Sequence, residues 1–184
     1  YCGDLVTVEL GIPDQYLQTV TSDDLVIDAE LVKNNLPKHT NEGHKGLFGH
    51  LIICGGCVNY TGAPILAGKS AYRVGTGLVE TAIPERIFEA SAGQNLESIW
   101  LLLDDEDGVI AESGASTLLK HLKKATCLLI GPGMGQEDTT LKFINRILFE
   151  QNGKTQPANV GFLPKKEDAS KDEAYPFPPT VIDA

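Results

Sequence analysis

The sequence predicts an α/β fold built on a mostly parallel central sheet with flanking helices. Three observations predict it. Apolar runs at 50–54, 78–82 and 127–130 have the length and continuity of strands buried on both faces. Helical spacing of apolar residues fills the stretches between them. Glycine-rich turns mark each change of period: Gly55-Gly56, Gly75-Thr76-Gly77 and Gly131-Pro132-Gly133-Met134-Gly135. Strands alternating with helices imply parallel pairing and right-handed crossovers.

The elements follow in order. Leu5 to Leu10 reads as a short strand, closed by Gly11-Ile12-Pro13. Residues 14–43 are polar and mixed, with a short helix over Asp28–Lys33 that Pro37 stops. His50–Cys54 is a buried strand, and Ala63–Val74 is the helix after it. Leu78–Ala82 is the next strand. Pro84 suits the first turn of a short helix through Ala92, where its missing N–H costs nothing. Leu96–Leu101 reads as a strand. Ser113 is the expected cap of a helix through Lys123, with Leu118, Leu119 and Leu122 on one side. Cys127–Ile130 is a strand ending at the Gly131–Gly135 loop, and Thr139–Glu150 is a helix. Residues 151–179 carry Pro157, Pro164, Pro176, Pro178 and Pro179 with no periodicity, as expected of a mobile insertion. Thr180–Ala184 begins another buried parallel strand, so further sequence is expected beyond it.

Composition narrows the function classes. The chain has 184 residues and a formal charge of -10, with a pI near 4.8. An acidic surface argues against nucleic-acid or anionic-membrane partners, which need basic patches. No apolar run approaches the ~20 residues of a membrane span. No basic-then-apolar leader occurs in these residues, and a cytoplasmic, reducing location is expected. Cys54-Gly55-Gly56-Cys57 forms a CxxC, but no second pair or paired histidine completes a zinc set. A redox pair sits at a helix N-terminus, and here the helix starts several residues later. Both thiols are expected to be reduced and free.

The histidines His39, His44, His50 and His121 lie in no triad-like context. His121 falls at a helix end, where a cation complements the dipole. Asp104, Asp105, Glu106 and Asp107 read as a solvated turn before Gly108, not a metal site. The Gly131–Gly135 loop admits two readings. It is a tight turn needing glycine for geometry, or a loop letting a ligand approach the backbone with an anion at the following helix N-terminus. Tyr60-Thr61-Gly62-Ala63-Pro64 is likewise an N-cap, or a place where small Ala63 lets a planar ring lie against the helix end.

Several blocks taken together carry a resemblance. They are His44-Lys45-Gly46 with Gly49-His50, Tyr60-Thr61-Gly62-Ala63-Pro64, Arg73-Val74-Gly75-Thr76-Gly77-Leu78-Val79, Ala82-Ile83-Pro84-Glu85, Ile130-Gly131-Pro132-Gly133-Met134-Gly135 and Val181-Ile182-Asp183-Ala184. In order and spacing they resemble the ADP/ATP-dependent NAD(P)H-hydrate dehydratases of the ribokinase-like superfamily. Residues 3–13 are similar to the tail of the epimerase domain that precedes the dehydratase in bifunctional repair enzymes. The resemblance therefore implies an epimerase tail over 1–13, a connector over 14–43, and the N-terminal part of a ribokinase-like dehydratase domain over 44–184. The sheet would be incomplete in this chain.

The implied reaction repairs nicotinamide nucleotides. ADP or ATP with Mg²⁺ phosphorylates the ring hydroxyl of hydrated NADH or NADPH (the S epimer), and phosphate is then eliminated. Such transfer depends on positioning and charge neutralisation. The resemblance places the hydrated dinucleotide against Ala63, Gly133 and Gly135. The family's Thr-Pro-His block, its nucleotide-contacting lysine and its Gly-x-Gly-Asp catalytic base do not occur in these residues. No catalytic, nucleotide-binding or metal residue is therefore assigned, and the chain is expected to be inactive alone. Cys57 also stands where the family usually has serine. Two alternatives stay open: another ribokinase-like small-molecule kinase, and a non-catalytic dinucleotide-binding subunit. A homo-oligomer also stays open. The proline-rich, aperiodic stretch predicts that limited proteolysis cuts first within 151–179, as mapped by mass spectrometry of the early fragments.

Overall fold

The computed structural model describes residues 6, 8–17, 26–36, 43–149 and 177–183. Two compact units divide the chain, residues 1–38 and 39–184. In the first unit, Val6, Val8 and Leu10 are exposed, and none of them lies in a strand. This corrects the strand expected over 5–10, of which Leu5 and Thr7 lie outside the described residues. Alternating apolar residues suit a strand, but a strand also needs a ladder partner. None pairs with them among the described residues. α1 (Asp14–Leu17) is a single turn. α2 (Ala29–Asn35) forms where a helix was expected. The Leu31 N–H donates to the Asp28 carboxylate at 2.8 Å, which caps it.

The second unit holds the sheet. Its strands are β1 (His50–Cys54), β2 (Leu78–Pro84), β3 (Ile99–Leu103), β6 (Cys127–Ile130) and β7 (Thr180–Ile182). They are parallel, in the order β3-β2-β1-β6-β7. α3 (Gly62–Val74) joins β1 to β2, α4 (Phe88–Ala92) leads towards β3, α5 (Gly114–Leu122) precedes β6, and α6 (Asp138–Leu148) follows it. Between β3 and α5 lies a hairpin of β4 (Asp105–Glu106) and β5 (Val109–Ile110).

Side-chain alternation along β1 sorts the two faces. Ile52 and Cys54 point into the larger core, with Leu118 and Leu122 of α5 and Phe143 and Ile147 of α6. Ile53 faces Ala71 of α3 and Val79 of β2. Both faces of the central strand are thus covered, which is why it reads as continuously apolar. Each fully buried Ile, Leu or Phe contributes roughly 1.5–3 kcal/mol. α6 shows the helical counterpart, burying Thr140, Phe143 and Ile147 along one stripe.

Several boundaries differ from expectation for identifiable reasons. Pro84 is the last residue of β2, not the first of a helix; its ψ of 134° is extended, and the 3₁₀ turn Glu85–Ile87 starts after it. Proline is tolerated at a strand end because little of the ladder lies beyond. β3 begins at Ile99, not Leu96. Leu96 is fully exposed in a turn, with the Ser98 N–H donating to the Asn95 carbonyl. Ser113 sits at the start of α5 but caps nothing, because its backbone is already helical (φ -59°, ψ -32°). The N–H groups of Gly114, Ala115 and Ser116 are satisfied by carbonyls three residues back. The acidic run is a hairpin turn at Asp107 and Gly108, both with positive φ. Asp105 is not merely solvated: it pairs with Arg86 Nε at 3.0 Å and accepts from Gly108 N–H at 3.1 Å.

β7 is a parallel strand as expected and pairs with β6, but the burial expected of it is not found: among the described residues it lies at the sheet's edge, and Val181 and Ile182 are exposed. The expected insertion lies outside the described residues up to 176. Phe177 packs on the larger core, and Leu128 N–H donates to Pro179 at 3.0 Å.

The sheet also buries a charge that the apolar reading of 78–82 passed over. Glu80 of β2 has a side chain only 8% exposed. His121 Nδ1 lies 2.7 Å from its Oε1, and His50 Nε2 lies 3.2 Å from Oε2. The second contact is close enough for attraction but is not aligned as a hydrogen bond. His121 therefore pairs with a buried carboxylate, a role that its place at a helix end did not reveal. A buried carboxylate needs such partners, and removing it leaves theirs unpaired. Glu80→Ala should cost about 2–3 kcal/mol in urea unfolding. Glu80→Gln, which keeps a side-chain oxygen in place, should cost less than half of that.

Candidate functional site

The strand order reverses at β1. The chain passes from β1 to β2 and β3 on one side, then crosses to β6 and β7 on the other. At such a reversal the loops leaving adjacent strands part, opening a crevice at their carboxyl ends. A cleft of about 500 Å³ lies there. Asn59 and Tyr60, from the loop after β1, form one side. Gly131, Gly133, Met134, Gly135, Gln136 and Glu137, from the loop after β6, form the other, and Asp183 after β7 closes the end.

The loops fit because they carry so little side chain. Gly131 has φ of 122°, and a Cβ there would overlap the Asp183 carbonyl. Gly133 has φ of 69°, and a Cβ there would lie 2.8 Å from Tyr60 Cβ and 3.0 Å from Ala63 Cβ. Backbone hydrogen bonds lock the corner. Gly56 N–H donates to Pro132 at 2.8 Å, Gly131 N–H to Cys54 at 3.0 Å, and Asp183 N–H to Ile130 at 2.9 Å. The close-packing reading of Gly131 and Gly133 is therefore met, and it does not conflict with the ligand-approach reading.

Ala63 and Gly133, expected together, are neighbours. Gly133 and Gly135 line the cleft directly. Ala63, half-buried in the first turn of α3, stands behind Gly133 and Tyr60. Thr61 precedes the helix, but its backbone is helical and its side chain makes no capping bond. His44 and Lys45 are exposed at the amino end of the sheet, ahead of β1, and do not reach the cleft. Tyr60 belongs to the Tyr60–Pro64 block but was given no ligand role there, and Asn59 and Glu137 were not singled out. The only signal of those two was adjacency to the quoted blocks.

Cys54 and Cys57 are fully buried and free. Burial pushes the Cys54 thiol far above its ordinary value. Among the described residues no group of three His, Cys, Asp or Glu side chains converges to hold a metal ion.

The family comparison settles the kind of protein. The profile described as NAD(P)H-hydrate dehydratase matches residues 51–160. The chain belongs to the NAD(P)H-hydrate dehydratase family. It is 32% identical over 151 residues to a bifunctional NAD(P)H-hydrate repair enzyme of Dictyoglomus turgidum, covering 80% of this chain and 29% of the relative. It is 33% identical over 132 residues to an ATP-dependent (S)-NAD(P)H-hydrate dehydratase of Rattus norvegicus, covering 71% of this chain and 37% of that one. The chain thus spans about a third of the length of these relatives. A ribokinase-like superfamily protein of Enterococcus faecalis superposes with a TM-score of 0.55 at 19% identity, over 66% of this chain and 40% of that one. A Streptococcus mutans protein of uncharacterised role gives the same score at 24% identity, over 67% and 41%. These likenesses establish the ribokinase-like fold, and family membership sets aside an unrelated kinase of that fold. Among the described residues no helix is long and apolar enough to cross a membrane.

The raised Cys54 value has a checkable sign. The fold favours the neutral thiol, so its contribution to stability is present at neutral pH and lost as pH rises past the ordinary thiol range. In native protein at pH 8, Cys54 should resist iodoacetamide, and it should label fully in urea, as read by peptide mass spectrometry. A reproducible Cys54–Cys57 disulfide after rapid thiol trapping would instead support a redox pair.

Proposed function

We propose that this chain supplies the substrate side of an NAD(P)H-hydrate dehydratase. Hydrated NADH or NADPH would enter the cleft at the β1/β6 switch point, against Gly133, Gly135 and the Ala63 end of α3. The observation that carries this reading is the coincidence of that cleft with the Tyr60–Pro64 and Gly131–Gly135 blocks in a member of the family. The chain's part is to bind and orient. Gly133 and Gly135 line the cleft as bare backbone that a dinucleotide could approach closely, and small Ala63 stands directly behind Gly133. Residues 1–13 would be the tail of an epimerase-like domain and 14–43 a connector, in keeping with the bifunctional relatives.

ADP or ATP with Mg²⁺ would supply the phosphoryl group in the whole enzyme. The described residues do not fit that group. The cleft lining offers no lysine or arginine to a polyphosphate, and no metal-holding cluster is present among the described residues. The chain contains no Gly-x-Gly-Asp run to provide the base, and residues 1–184 alone should not turn over hydrated NADPH with either nucleotide.

The test compares the 184-residue chain with a full-length protein that includes it, using recovery of NADPH absorbance. Only the longer protein should be active. In it, Ala63→Phe should raise KM by about tenfold or more by overfilling the pocket. Ala63→Ser should leave KM near the starting value, and thermal melts of both should show intact folding. Turnover by residues 1–184 alone would remove the division of labour proposed here. An unchanged KM in a folded Ala63→Phe enzyme would remove the assigned pocket.

A further inference from the structure

Charge divides unevenly around the cleft. Its lining carries two carboxylates, Glu137 and Asp183, and no lysine or arginine. Glu137 stands just before α6 and Asp138 in its first turn. These two carboxylates already complement the positive end of that helix dipole. The Glu137 carboxylate lies against Gly135, with Oε1 3.2 Å from where a Cβ would be. A phosphate brought to this end would meet like charge. The reading that places an anion at the start of this helix therefore meets the wrong chemistry.

The opposite side is aromatic. Tyr60 lines the cleft with 59% of its surface exposed. Its backbone is nonetheless fixed: its N–H donates to Cys57 at 3.0 Å, and its Cβ abuts Gly133. An exposed ring on a fixed backbone is a stacking face for another planar ring. A carboxylate nearby is an acceptor for sugar hydroxyls, as acidic residues are in other dinucleotide sites.

We propose that this end of the cleft takes the uncharged ring-and-ribose portion of the nucleotide substrate, with Tyr60 as stacking face and Glu137 as hydroxyl acceptor, and does not hold its pyrophosphate. The inference rests on the substrate reading above and adds the ligand's orientation and two specificity-determining residues.

The sign of one substitution decides it. Calorimetric titrations of the full-length protein use hydrated NADPH and, separately, inorganic pyrophosphate. Glu137→Gln is nearly isosteric at an exposed position, so the fold is kept. It should weaken hydrated NADPH by about fivefold to tenfold, the loss of one charged hydrogen bond. Tyr60→Ala should weaken it by about tenfold or more, and Tyr60→Phe, which keeps the ring, should not. Pyrophosphate affinity should not move in Glu137→Gln. Tighter binding of either probe in Glu137→Gln would put the phosphates at this end and overturn the inference alone. A Tyr60→Ala protein that melts normally and binds unchanged would overturn the stacking role. No affinity of the unaltered protein for hydrated NADPH would overturn the substrate reading and this inference with it.

Discussion

The loops at the carboxyl ends of β1, β6 and β7 meet backbone to backbone, and the site depends on that contact. Gly56 reaches the Pro132 carbonyl, Gly131 reaches Cys54, and Asp183 reaches Ile130, all through main-chain hydrogen bonds. The approach works only because Gly131 and Gly133 present no side chain towards Asp183, Tyr60 and Ala63. A methyl group at Gly131 would force Asp183 away and open the corner. Steric absence therefore fixes three strands relative to one another. It also leaves a recess beside main-chain atoms that a ligand can approach.

Topology explains why that recess lies at the β1/β6 boundary. β1 is central, and the chain leaves it in opposite lateral directions, first through α3 and later through α5. The two connecting loops diverge only at that seam, so the crevice needs no specialised residue to open. Its chemistry comes from what lines it. Glycine leaves backbone bare, Tyr60 offers a flat apolar face, and Glu137 and Asp183 set the charge. A cleft lined this way is the basis of the preference for hydroxyls and rings over phosphates proposed above. Elsewhere in the second unit the strands are held by ordinary apolar burial on both faces of the sheet.

Much of the fold was legible because its signals are strong and local. Buried parallel strands are apolar without interruption, and α5 and α6 carry their cores on one stripe. The α-helix after β1 and the strand pairings around it follow from that pattern. The misses have different causes, some local and some set by partners distant in sequence. Leu96 looks like strand until its exposure in a turn is seen. β4 and β5 are two residues each, too short to leave a period. Glu80 sits in an apolar run, and nothing nearby announces that His50 and His121 come to it. In the site, Ala63 and Gly133 were placed together through resemblance, not through spacing. Asn59 and Glu137, and the place of the Tyr60 ring, became visible only once the two loops faced each other.

The family blocks divide by position along the sheet. His44–His50 and Arg73–Val79 lie at its amino end, where Gly77 N–H donates to Phe48 at 3.0 Å and Leu78 N–H to Gly49 at 3.1 Å. There Gly77 lies so close to the Lys45 carbonyl that a Cβ would overlap it. Those glycines join β1 to β2 and do not line the cleft described above. Tyr60–Pro64 and Ile130–Gly135 lie at the carboxyl end and form one. Glycine-rich motifs of similar appearance thus do different work at the two ends of β1. At the amino end the close approach ends in hydrogen bonds between neighbouring turns, and the space is filled. At the carboxyl end the seam between β1 and β6 keeps the loops apart beyond their point of contact, and the space stays open. Which end of a parallel strand a motif occupies, rather than its glycine content, separates a filled structural turn from a cleft-lining loop.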